Sequence, residues 1–302
     1  MQQSKLTRNI KMKIGISSYS LCGALSSGEM DIIAAIKYIA EIGGEHIEIS
    51  PCGKFTIADA NDPIIDQIRQ AAAENHLALS SYTIGASFLM GENGELDEIG
   101  RQKEVERLKK QVDIAARLGV TRMRHDVGWR PIEKCTLEQF EIDLPRVAPC
   151  CRAVAEYAAK FGIVSSLENH GYHFQGSERV RRLVNLVNMP NYRTTIDVGN
   201  FACADEDSVA AVMNNISIAS MIHFKDFYIR DHVPTSDGWF RSLHGKFLRG
   251  AITGCGDLNL TQIAKVIKAA NYDGYVSVEF EGMEECKSAC KIALNNTKAL
   301  LA

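Results

Sequence analysis

Long apolar runs are missing from this sequence, and so is any surplus of basic charge. The first absence speaks against a membrane span, which needs roughly 20 consecutive apolar residues. The basic opening MQQSKLTRNIKMK leads into no apolar stretch long enough for a signal peptide. A net charge of -3 provides no electrostatic footprint for nucleic acid. No two cysteines stand at CxxC spacing: Cys22, Cys52, Cys135, Cys150, Cys151, Cys203, Cys255, Cys286 and Cys290 are scattered and odd in number. That pattern in a long chain means free thiols, not a disulfide framework or a thiolate zinc site. No GxGxxG follows the first apolar run, so no nicotinamide cofactor is indicated. Linkers and low-complexity tracts are absent too. These exclusions leave a cytoplasmic globular protein, with hydrophobic content of 46% and charged content of 24%.

What is present is an alternation. KIGISS (Lys13 to Ser18), EHIEIS (Glu45 to Ser50), LALSSY (Leu77 to Tyr82), TRMRHD (Thr121 to Asp126), IVSSLE (Ile163 to Glu168), RTTID (Arg193 to Asp197), ASMIHF (Ala219 to Phe224) and YVSVEF (Tyr275 to Phe280) are short apolar runs without helical period. Such runs read as strands buried on both faces. Between them lie helical faces: Ile32, Ile36 and Ile39; Val105, Leu108, Val112 and Ala115; Ile263, Val266, Ile267 and Ala270. Gly43, Gly119, Gly162 and Gly274 fall where a left-handed helix cap is expected, and Asn259 with Gln262 reads as a capping box. Strand then helix, eight times, predicts an α/β protein: a single (β/α)8 TIM barrel over residues 13–302, after an N-terminal extension at 1–12. Two connections exceed what a βα loop needs. One is VGWRPIEKCTLEQFEID after the fourth strand; the other runs from Asp226 to Asp257 and carries Trp239, Phe240, His244, Lys246, Phe247 and Arg249, groups suited to covering a polyhydroxylated ligand.

Four strands end on side chains that apolar burial does not explain: Glu168, Asp197, His223 and Glu279. Parallel strands ending side by side bring these together, and three carboxylates do not stay ionised at one point without a compensating cation. A divalent metal is the economical answer. Singly, each acid could instead cap the following helix.

In order along the chain, LENHGYHF, TTIDVGNF, IHFKD, GxGDLN and GYVSVEFEG resemble the xylose-isomerase-like superfamily of sugar isomerases and epimerases. The resemblance covers nearly the whole chain and is most specific at the last four strands. It implies one divalent ion on Glu168, Asp197, His223 and Glu279, the set already reached from the strand ends. Oxygen-rich ligation with one imidazole favours manganese, cobalt or magnesium, with zinc or iron also able to occupy the site. The resemblance further implies that Glu168 and Glu279 exchange protons with a carbon next to a sugar carbonyl, from opposite faces. One departure is Asn200, where ketose 3-epimerases carry a substrate-contacting histidine. An endonuclease IV-type site needs that histidine and a DxH after the seventh strand, and FKDFYIRDH has none.

Several other side chains are candidates. His125 closes the fourth strand and is placed to act as acid or base, or to be a buried hydrogen-bonded histidine. His170, Asn200, Lys225 and Arg249 are candidate substrate contacts, His173 can orient Glu168, and Glu48 either faces substrate or neutralises a cation. The expected function is a metal-dependent sugar isomerase or epimerase. A lyase of the inosose-dehydratase or C-glycoside-deglycosidase type begins with the same proton abstraction and is the alternative; a non-catalytic sugar-binding protein is a third reading. Beyond a small-molecule sugar, the expected partners are copies of the chain itself or a second subunit.

Overall fold

Between Lys13 and Val278 eight strands lie side by side in chain order and close into a barrel. In the computed structural model, which describes residues 12–302, they are β1 (Lys13–Ser17), β2 (His46–Ile49), β3 (Ala78–Ile84), β4 (Arg122–His125), β5 (Val164–Glu168), β6 (Tyr192–Asp197), β7 (Ala219–Phe224) and β8 (Tyr275–Val278). Every neighbouring pair is parallel, and β8 returns to β1 in a register from Lys13 opposite Tyr275 to Ile16 opposite Val278. Apart from Met12, the expected extension lies outside the described residues. Among the described residues no helix is long and apolar enough to cross a membrane.

Helices cover the barrel with the faces that the sequence marks. Ile32, Ile36 and Ile39 are buried, as are Val105, Leu108, Val112 and Ala115, and Ile263 with Ile267, whereas Val266 is half-buried and Ala270, just past the helix end, is exposed. Burial of each such aliphatic side chain is worth about 1.5–3 kcal/mol. Gly43, Gly119 and Gly162 have positive φ, as caps require. Gly274 does not: Asn271 takes the left-handed residue, at φ 54, and a Cβ at Gly274 would instead collide with the Tyr272 ring.

Both long connections are more structured than expected. After β4 a helix already begins at Leu137, its N-terminus capped by Thr136, whose hydroxyl accepts from the Gln139 N–H at 3.2 Å. After β7 the chain makes an antiparallel sheet in which Phe247–Ala251 pairs with both Asp226–Arg230 and Phe240–Arg241. Asp226 closes this excursion. Its buried carboxylate accepts N–H groups from Phe227, Gly254, Gly256 and Leu258 at 2.9, 3.0, 2.9 and 3.3 Å. Gly256 leaves no room for a Cβ beside that carboxylate, which explains the glycine in GxGDLN. Asn259 then starts the next helix by accepting the Gln262 N–H.

Candidate metal centre and the cleft above it

Glu168 and Asp197 close β5 and β6, His223 precedes the last residue of β7, and Glu279 follows β8. One ligand atom from each lies within 4.8 Å of the others, and all four residues are buried. The backbone fixes them. Asp197 Oδ1 accepts the N–H groups of Gly199 and Asn200 at 2.7 and 3.0 Å, leaving Oδ2 for the cluster. The Asn169 amide donates to Asp197 O and accepts from Asp197 N–H, both at 2.8 Å, tying β5 to β6. Ser20 accepts the Phe280 N–H at 2.9 Å and donates to Val278 O, which holds the chain on either side of Glu279.

Glu48, fully buried on β2, stands 2.9 Å from His223 Nε2, and the Thr83 hydroxyl donates to its other oxygen. With Nε2 committed to Glu48, the imidazole presents Nδ1 to Glu168 and Glu279, at 3.7 and 3.5 Å. A carboxylate behind a ligating histidine is the arrangement that fixes its tautomer and raises its basicity.

The charges suit a divalent cation. Burial pushes the Asp197 carboxyl up to about 7 against the opposing pull of Lys225. Burial alone would depress His223, but Glu48, Glu279 and Glu168 outweigh it and raise the imidazole well above its ordinary value. In the metal-free chain the raised His223 and the Lys225 ammonium beside Asp197 and Glu279 offset part of the charge that these donors offer a cation. His223 Nδ1 is buried without a hydrogen-bond partner, and Asp197 Oδ2 and Glu168 Oε2 are buried with only the ion pairs to Lys225 and Arg124, so this donor set of three carboxylates and one imidazole fits such an ion.

Above the cluster lies a cavity of about 220 Å³, whose lining includes Glu168, Glu279, Arg124, Lys225, His170 and Glu281. Asp197 and His223 do not line it. Lys225 Nζ lies 3.1 Å from Asp197, 2.8 Å from Glu279 and 2.9 Å from Glu281. Asn200 donates to Glu168 Oε1 at 3.0 Å, and Lys225 Nζ is 3.5 Å from its side-chain oxygen. His170 is 3.2 Å from Asp126, whose charge moves the imidazole up to about 9. Two further cavities adjoin: about 390 Å³ beside Trp129, Tyr172, Asn200 and Phe240, and about 720 Å³ beside Tyr19, Phe240 and Met283. Glu281 borders all three.

His125 is not part of this site. Strand alternation points Arg124 into the barrel, 2.5 Å from Glu168 Oε2, and therefore points His125 outward. There its ring lies near Phe88 and Tyr192, with Nδ1 at 2.8 Å from Asp126 O and Nε2 at 3.1 Å from Ser165 Oγ. Burial lowers it to about 4, so it is a neutral packed histidine. Nor does Arg249 reach the cluster: its guanidinium lies over Tyr228 and Trp239, at 5.2 and 4.9 Å from the ring centroids. Of the aromatic and cationic set in the seventh connection, Phe240 lines the adjoining cavities. His173 meets Asp143 at 2.9 Å and leaves Glu168 alone. Arg124, Asp126 and Glu281 are the charged residues of the small cavity that sequence reasoning passed over.

The chain belongs to the xylose isomerase-like TIM barrel family, whose model matches residues 36–299. A stretch of 129 residues is 30% identical to an inosose dehydratase of Lactiplantibacillus plantarum, covering 42% of this chain and 43% of that relative. The fold is similar to that of a 3-keto-D-glucoside 4-epimerase from E. coli, with a TM-score of 0.69 and 19% identity over 96% of this chain and 100% of that one. It is also similar to a D-allulose 3-epimerase from Methylomonas sp., with a TM-score of 0.71 and 17% identity over 96% and 98%.

Proposed function

We propose that this chain is a divalent-metal-dependent enzyme that removes a proton from carbon next to the carbonyl of a keto-sugar, with isomerisation or epimerisation as the outcome. The observation that carries this reading is the split within the cluster: Glu168 and Glu279 line the small cavity, whereas Asp197 and His223 lie beneath it. Two of the four ligands can therefore also touch substrate. When bound, a manganese, cobalt or magnesium ion supplies Lewis-acid polarisation of the carbonyl and its neighbouring hydroxyl.

The side chains do the rest. Glu168 on β5 and Glu279 beyond β8 reach the cavity from different parts of the barrel wall, so one carboxylate can take a proton and the other return it. Arg124 and Asn200 hold Glu168 in one orientation, from Oε2 and Oε1 respectively. Lys225 holds Glu279 and borders the cavity, its three N–H groups shared among Asp197, Glu279 and Glu281.

Elimination is the second reading, favoured by the stretch shared with an inosose dehydratase. It needs an acid at the leaving group; His170 and Lys225 border the cavity and His125 does not. The test is incubation of the metal-loaded protein in D2O with a panel of ketoses, inososes and 3-oxo-glycosides, followed by NMR. Deuterium entering with the carbon skeleton intact supports epimerisation. An unsaturated product supports elimination, and neither signal with any member overturns both readings.

A further inference from the structure

The cations that reach the cavity are already paired. Lys225 is shared by Asp197, Glu279 and Glu281; Arg124 is shared by Glu168 and Asp126; His170 faces Asp126. In the adjoining cavity of about 390 Å³ the Arg130 guanidinium is held by Asp143 and Glu95. Among the described residues, the one of about 720 Å³ is bordered by Glu29, Glu281, Glu284 and Glu285 and by no lysine, arginine or histidine. With an ion in place, six carboxylates (Glu48, Asp126, Glu168, Asp197, Glu279, Glu281) face at most five positive charges, those of Arg124, Lys225, His170 and the divalent ion. Among the described residues, no positive charge is left over for an anionic substrate.

Asp126 and Glu281 are the members of this set that neither belong to the four clustered residues nor lie directly behind one, and of the two only Glu281 borders all three cavities. Its carboxylate lies 2.9 Å from Lys225, and its charge raises the pKa of the nearby Tyr19 hydroxyl. Its backbone is clamped to the small antiparallel sheet: Gly250 bridges to Gly282, and a Cβ on Gly250 would strike the Glu281 carbonyl. We propose that Glu281 sets the charge of the substrate, engaging Lys225 and presenting its own carboxylate so that the site takes uncharged keto-sugars and turns away phosphorylated or carboxylated ones. The inference rests on the keto-sugar reading above. A phosphate ester brings between one and two further negative charges, and like charges set together in a partly desolvated site repel strongly.

Two measurements test it. Inorganic phosphate is titrated onto manganese-loaded wild type and Glu281→Gln, with 31P line broadening as the readout. The variant is expected to bind phosphate about tenfold more tightly, because Lys225 has lost a partner and the rim a charge. Glu281→Asp, which keeps the charge, is expected to behave as wild type, and manganese content should be equal throughout. Equal phosphate affinity in wild type and Glu281→Gln overturns the proposal. The second measurement offers the keto-sugar panel in D2O both free and as phosphate esters. Wild type is expected to exchange free sugars only, and exchange of the esters at comparable rates overturns the proposal. Exchange with no sugar at all would count against the enzyme reading instead, and the phosphate titration then still decides the role of Glu281.

Discussion

Glu48 touches no substrate cavity, yet the site depends on it, since it alone holds His223 Nε2 and so turns Nδ1 to the carboxylates. Glu48→Gln is expected to lower divalent-ion affinity by about 10–100-fold while the barrel stays folded; manganese titration alongside circular dichroism checks both halves. Protons compete for the same donors. Asp197 and His223 both bind protons more tightly in the metal-free fold than in an unfolded chain. Their contribution to the stability of the metal-free protein is therefore full at low pH and is lost as pH rises, through about 7 for Asp197. Loading must displace these protons, so metal affinity is expected to grow with pH, and addition of manganese near neutrality should acidify a weakly buffered solution. Uptake that leaves the pH unmoved would contradict this account. The four clustered residues were legible in the sequence because a polar residue at the end of an apolar run has no packing explanation. Which face each neighbour took was less legible. His125 and Arg124 share one strand end, and only the register that sets Arg124 opposite Ser166, and His125 opposite Leu167, decides between them. An arginine inside TRMRHD was the available signal, as unexplained by apolar burial as Glu168.

Among the elements, all eight strands were visible as runs without helical period, because a parallel strand buried on both faces is apolar along most of its length. The segment after β7 was not. Its strands Phe240–Arg241 and Phe247–Ala251 are short and mixed in composition, the first exposed and the second part-buried, and Asp226 closes the excursion from its base. Asp226→Ala would leave the N–H groups of Phe227, Gly254, Gly256 and Leu258 without this acceptor. A loss of about 2 kcal/mol or more is expected in urea denaturation, with new protease cleavage between 231 and 246. Unchanged stability and an uncut segment would remove Asp226 from its assigned role.

At the scale of the whole molecule, apolar groups remain on the surface: Ile99 at 66% exposure, Leu137 at 58% and Trp129 at 47%. Self-association through such groups is expected, and light scattering showing an active monomer at micromolar concentration would contradict it. In the function proposed above, Glu168, Asp197, His223 and Glu279 would hold one divalent ion on which proton abstraction depends. The most direct measurement is calorimetric titration of manganese into metal-free protein at neutral pH, read beside solvent exchange of the sugar panel. The account predicts one ion per chain for wild type, loss of that binding in His223→Ala and Asp197→Asn, and exchange that appears only as the ion is taken up. Wild type that binds no stoichiometric divalent ion, or that exchanges at full rate after chelation, would contradict it.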